Sequence, residues 1–221
     1  QQPLLLPAGA AADRAHAGPC PPADPAADID DAEAPEALYE HARRGNTAVV
    51  LSLLARRVAP DSFVGYDGST ALIMAARAGH GAIVGSLLAA GASVKERTDD
   101  GSAAILSAAC SGCTPVIEKL LAARADPNCC NDDEATPLHM AAEYGHAEAA
   151  RALLAGRADP KAVATGWGTA LDAALEGGQE AVAALLHAAG AVGMGRASEE
   201  RRTAAGEHFG YGCFDGEGAG G

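Results

Sequence analysis

The feature that most constrains this chain is an internal period of 33 residues. Gly79, Gly112, Gly145 and Gly178 stand one period apart, and so do Leu72, Ile105, Leu138 and Leu171. A third column runs through Ala75, Ala108, Ala141 and Ala174, and a fourth through Ala92, Ala125, Ala158 and Ala191. Four columns that keep one period through four units mark a tandem repeat, whose units bury their apolar faces only by stacking on one another. An earlier unit fits one residue out of step, with Leu38, Gly45 and then Leu53-Leu54 lying 34 residues before Leu87-Leu88. The repeats therefore run over 35–193, as units 35–66, 67–99, 100–132, 133–165 and 166–193. An N-terminal arm (1–34) and a C-terminal tail (194–221) flank them.

Each unit reads as two helices. Thr70, Thr136 and Thr169 precede apolar runs, where a hydroxyl caps orphan backbone N–H groups, and Pro137 suits a first helical turn. The paired alanines that follow let neighbouring helices approach closely. The periodic glycines end the first helix in a left-handed conformation. Val49/Leu53, Ile83/Leu87, Val116/Leu120 and Leu153 form the buried stripe of the second helix. In the last unit the leucine pair slides to Leu185-Leu186, and His187 stands where a terminal unit meets water. Composition agrees: 55 of 221 residues are Ala, whereas aromatics make up 4%. That excess suits thin, close-packed helices rather than a β-sandwich. The fold class is all-α. Unit three is expected to be the weakest, because Ala103 has lost the capping hydroxyl.

The quoted residues resemble the ankyrin repeat family. Thr136-Pro137-Leu138-His139-Met140-Ala141-Ala142 with Gly145-His146 reproduces its TPLHxAA…GH signature, and Thr70 to Ala76 with Gly79-His80 is a near copy. The third unit departs from the pattern, with Ala103-Ala104-Ile105-Leu106 and with Cys113 in place of His; the fifth reads Thr169-Ala170-Leu171-Asp172 with Gly178-Gln179. The resemblance implies an ankyrin-repeat solenoid of stacked helix–turn–helix units with finger loops. It also implies that His80, His139 and His146 hydrogen-bond the loops between units, and that the protein is a non-enzymatic interaction module or scaffold.

Charge and motifs exclude other classes. A net charge of −13 disfavours nucleic-acid phosphate and anionic lipid as partners through bulk charge. No run of 18 apolar residues exists to span a membrane. There is no HExxH, GxxxxGK[ST], GxSxG or kinase set, so neither enzymatic activity nor a cofactor is expected. Cys110-Ser111-Gly112-Cys113 reads as small residues incidental to the repeat, against a redox pair or, with Cys129-Cys130, a zinc set. The cysteines show no disulfide framework, so a reducing intracellular compartment is expected, cytoplasmic or organellar (a plastid, had a targeting peptide been removed). The arm holds six acids against Arg14 and resembles a disordered or polyproline-like segment. The tail offers a short helix over Ala197–Ala205 and then the aromatic run Phe209 to Phe214.

Ankyrin proteins, as the resemblance implies, bind partners through their finger tips and the exposed side of the inner helices. In this register the inner-helix positions are Arg43/Arg44, Arg77, Cys110/Ser111, Glu143/Tyr144 and Glu176, a gradient from basic to acidic. The tips are Tyr66-Asp67, Asp99-Asp100, Asp132-Asp133 and Thr165-Gly166, with Trp167 beside the last. Three acidic tips form a stripe suited to a basic segment of a protein partner, and Tyr66, Tyr144 and Trp167 are candidate aromatic anchors. The alternative is an accessory structural subunit of a large complex, for example in a plastid membrane, anchored through the two arms.

Overall fold

The computed structural model describes residues 24–194; residues 1–23 and 195–221, including the expected helix Ala197–Ala205 and the run Phe209 to Phe214, lie outside them. Five helix pairs follow one another: α1 (Ala34–Arg44) and α2 (Thr47–Ala55), α3 (Ala71–Arg77) and α4 (Gly81–Ala89), α5 (Ala104–Cys110) and α6 (Thr114–Ala122), α7 (Pro137–Glu143) and α8 (Ala147–Ala155), α9 (Ala170–Glu176) and α10 (Glu180–Ala188). The odd-numbered helices pack side by side as an inner layer and the even-numbered ones as an outer layer, each pair also packing on itself. This is the expected all-α solenoid. Its last finger carries a two-residue antiparallel pairing of β1 (Val163–Ala164) with β2 (Gly168–Thr169).

After α1 the inner helices have only seven residues, too few to persist alone in water. Packing holds them. Ala75, Ala76, Ala108, Ala109, Ala141 and Ala142 are wholly buried where inner helices meet, and Leu53, Leu87, Leu120, Leu153 and Leu186 are wholly buried under the outer layer. Val49 is half-buried although Ile83 and Val116 at the same position are not, because the first pair has a repeat on one side only; Val50 is the buried valine there. At the other end Leu186 is buried and His187 is exposed.

Capping separates the units. The Thr70 hydroxyl accepts from the Ile73 N–H (3.4 Å), and Thr169 accepts from the Asp172 N–H (3.3 Å) while the Asp172 carboxylate accepts in return from the Thr169 N–H (2.9 Å). Ala103 has the same extended backbone at the start of α5 and no side chain to offer.

Of the arm read over 1–34, the described part departs from a disordered or polyproline-like segment. Residues 24–33 fold as turns against α2: the Ser52 hydroxyl donates to Asp24, and Arg56 donates to the carbonyls of Ala26 (3.0 Å) and Ile29 (2.9 Å) and pairs with Asp31. Ala26 is wholly buried and Ile29 packs on the core. Average composition hid these two apolar residues, and one guanidinium satisfies carbonyls that would otherwise need water. That stretch is engaged within the chain and is not a free tether.

Candidate functional site

The fingers form a backbone-bonded row. The Asp99 N–H donates to the Asp67 carbonyl (2.9 Å), the Asp132 N–H to that of Asp100 (3.0 Å) and the Thr165 N–H to that of Asp133 (3.0 Å). Each finger is also closed on itself, by Gly65 to Ser69, Thr98 to Ser102 and Asn131 to Ala135. Arg97 braces two of them, donating to the carbonyls of Gly101 (3.0 Å) and Cys130 (2.5 Å). The row is thus held together by the chain's own backbone.

Its acids divide into two kinds. Asp67 accepts from the Ser69 N–H (3.1 Å) and hydroxyl, and Asp100 accepts from the hydroxyls of Thr98 and Ser102 (3.0 Å to the latter). Burial alone would raise both carboxyls, but these donors, with Arg77 beside Asp67, hold them below the ordinary value. Both are therefore committed to their own turns, and the stripe is narrower than the sequence suggested. Of the five aspartates in the stripe, Asp99, Asp132 and Asp133 remain, all exposed; Glu134 beside them accepts from the Thr165 hydroxyl (2.6 Å).

The other expected site residues fare unequally. Tyr66 is fully exposed, with Val64 beside it half exposed. Tyr144 is half-buried on the core and stacked on His146 (6.2 Å between ring centres), and Trp167 is likewise half-buried. Arg43 and Arg44 both pair with Glu40 (2.9 and 3.2 Å), and Arg77 with Asp67 (3.6 Å). Such exposed pairs contribute about 0–1 kcal/mol each, yet they offset the basic start of the gradient. Glu143 is half-buried and holds the next pair through its backbone carbonyl, which accepts from Gln179 (3.3 Å). One finger column that the sequence reading missed, Val64, Arg97, Cys130 and Val163, keeps the same period and was open to inspection; its two valines are half exposed.

Histidines stitch the inner layer. Nε2 of His80 donates to the Arg43 carbonyl (3.2 Å) and Nε2 of His146 to that of Cys110 (3.0 Å), and Gln179 does the same work in the last pair. These rungs give the glycine column a second cause. At Gly112 φ is +69°, and a Cβ there would also stand 2.6 Å from the His146 ring. The rung between units two and three is missing, because Cys113 fills it and its Sγ turns to the Ser111 carbonyl (3.8 Å). Cys113→His should therefore add a bond to the Arg77 carbonyl, and Ala103→Thr should restore the cap. Each is expected to stabilise by about 1 kcal/mol. Amide exchange should show slower opening of α5 and α6; unchanged protection in the double variant would refute both assignments.

Cys110 ends α5, Cys113 precedes α6, and burial pushes the Cys129 thiol up to about 11, the opposite of a poised thiolate. Among the described residues no group of three or more His, Cys, Asp and Glu side chains is arranged to hold a metal ion, and no helix is long and apolar enough to cross a membrane.

Comparison with known families agrees with this architecture. The family model "Ankyrin repeats (3 copies)" matches residues 105–193, and "Ankyrin repeat" matches 67–99. No curated protein matches the chain. The two matched stretches span more than half of the 221 residues and coincide with four of the five helix pairs, so the chain belongs to the ankyrin repeat family, whose repeats serve in general as protein–protein interaction modules.

Proposed function

We propose that this chain binds a protein partner along its finger row, with Asp99, Asp132 and Asp133 receiving a basic segment and Tyr66 serving as the aromatic anchor. The observation that carries this reading is the outward exposure of these side chains on fingers already bonded one to the next. A pre-ordered row has little conformational entropy left to lose on binding. Neighbouring helix pairs stand about 8–10 Å apart, and an extended chain in the polyproline II conformation rises about 3.1 Å per residue and brings every third side chain to the same face. An extended segment with Lys or Arg at every third position would therefore set one cation against Asp99 and the next against Asp132. The role is that of a scaffold, with no chemistry asked of the bound partner.

The test is capture of partners by three forms of the full chain: wild type, Asp99→Lys/Asp132→Lys/Asp133→Lys, and Glu118→Lys/Glu148→Lys on the exposed outer helices. Proteins retained by wild type and by the outer-helix variant should fall at least about tenfold in the finger variant, as expected for reversing several complementary charges. Their binding to wild type should weaken as salt rises. Equal retention by all three forms, with the same salt dependence, would reject the finger row as the binding surface.

A further inference from the structure

We propose that the open end of the solenoid, around Leu175 on α9, is covered by this chain's own C-terminal aromatic segment, residues 209–214. The column to which Leu175 belongs holds Ala42, Ala76, Ala109 and Ala142 in the earlier units, and all four are wholly buried where the next inner helix packs. No helix pair follows α9 among the described residues. A terminal unit facing water favours a polar side chain at such a position. The residue is instead enlarged to leucine and stands 58% exposed, and Val192 and Met194 are exposed where the described chain ends.

The outgoing chain is held at that same end. The Met194 N–H donates to both carboxylate oxygens of Asp172 (3.0 Å each). Gly193 lies so close that a Cβ on it would stand 3.0 Å from Asp172 Oδ1 and 3.5 Å from Leu171 Cδ2. Asp172 stands one period after His139, whose imidazole grips the following finger at the Gly168 carbonyl (3.1 Å). The position that in unit four holds the next repeat thus holds, in unit five, the start of the tail.

Leu175 lies one turn from Leu171 along α9, about 6 Å, whereas the fifteen residues from Met194 to Phe209 can span roughly 50 Å. Phe209, Tyr211 and Phe214 are three of the eight aromatic residues in the chain. The front of the molecule follows the same plan, since residues 24–33 fold back on α2 through Ala26, Ile29 and Arg56.

The experiment is amide hydrogen exchange on the full chain, comparing wild type with Phe209→Ser/Tyr211→Ser/Phe214→Ser, with Leu175→Asp and with the two combined. Loss of the cover should speed exchange of α9 and α10 by about tenfold or more, leave α1 to α4 unchanged, and add little in the combined variant. Leu175 is exposed in the described structure, so its replacement leaves the rest of the fold intact. Unchanged exchange of α9 and α10 in the tail variant would overturn the proposal. So would a concentration-dependent dimer in sedimentation that Leu175→Asp abolishes and the tail substitutions leave alone, because a second copy would then be the occupant.

Discussion

Replacing Leu120 by Ala is expected to cost about 2–5 kcal/mol and to break the solenoid into two thermodynamic halves. The first expectation follows from wholly buried packing: Leu120 has no exposed surface, and removing its branched end leaves a cavity in the outer layer. The second follows from repeat architecture. Each pair packs chiefly on its neighbours, so stability is the sum of intrinsic terms and interfaces, and a weak unit decouples those on either side. Unit three already lacks the N-cap at Ala103 and the rung at Cys113, so Leu120→Ala acts where coupling is thinnest. Trp167 is the single tryptophan and sits in the last finger, so its fluorescence reports the far end while far-ultraviolet circular dichroism reports all helices. Urea transitions followed by the two probes should coincide in wild type and separate in the variant. Coincident transitions at an unchanged midpoint would show that α6 contributes far less to the core than its burial implies.

The architecture was legible because its causes recur. A glycine that must turn left-handed returns every 33 residues, and at Gly79, Gly112 and Gly145 it also leaves room for the Cys113, His146 or Gln179 side chain of the next unit; the alanines that set the spacing of inner helices recur with it. Single positions whose state depends on one neighbour are harder to read. Asp67 and Asp100 share the finger-tip register of Asp99, Asp132 and Asp133, yet a serine stands two residues after each of the first two, in Asp67-Gly68-Ser69 and Asp100-Gly101-Ser102. That spacing lets the carboxylate accept from the serine within its own turn; Asp133 is followed by Glu134-Ala135 and lacks it. The division was present in the sequence. Arg56 is a different case, since the carbonyls it satisfies lie 27 and 30 residues away, at Ile29 and Ala26, and no local pattern reveals such a partner. The register places Tyr144 and Trp167 at surface positions, but both rings pack partly on the core, since large rings at loop edges fold onto the nearest apolar surface unless something keeps them off it.

Acidification below about pH 6.5 should loosen the junction between units four and five, through His139. The imidazole is wholly buried. Its Nε2 lies 3.1 Å from the Gly168 carbonyl, which can only accept, so the proton sits on Nε2. Nδ1 must then accept, and it does so from the Thr136 N–H (3.2 Å) and hydroxyl (2.8 Å). A second proton would remove that acceptor. Burial accordingly pushes the His139 pKa below the ordinary value, against the smaller upward pull of the Gly168 carbonyl and of Asp172. The unfolded chain binds a proton near pH 6.5, whereas the folded chain resists it until a lower pH. Between those values the unfolded state carries more protons, so stability rises with pH and falls on acidification, by up to about 1.4 kcal/mol per pH unit. His139→Ala should cost about 2–5 kcal/mol at pH 7.5, by opening a cavity and stranding the Gly168 carbonyl and Thr136 N–H. It should also flatten the pH dependence below 6.5, so that the gap between wild type and variant narrows from pH 7.5 to 5.5. Urea unfolding at both pH values measures this directly, and a gap that stays constant would mean that His139 is protonated as easily in the fold as out of it.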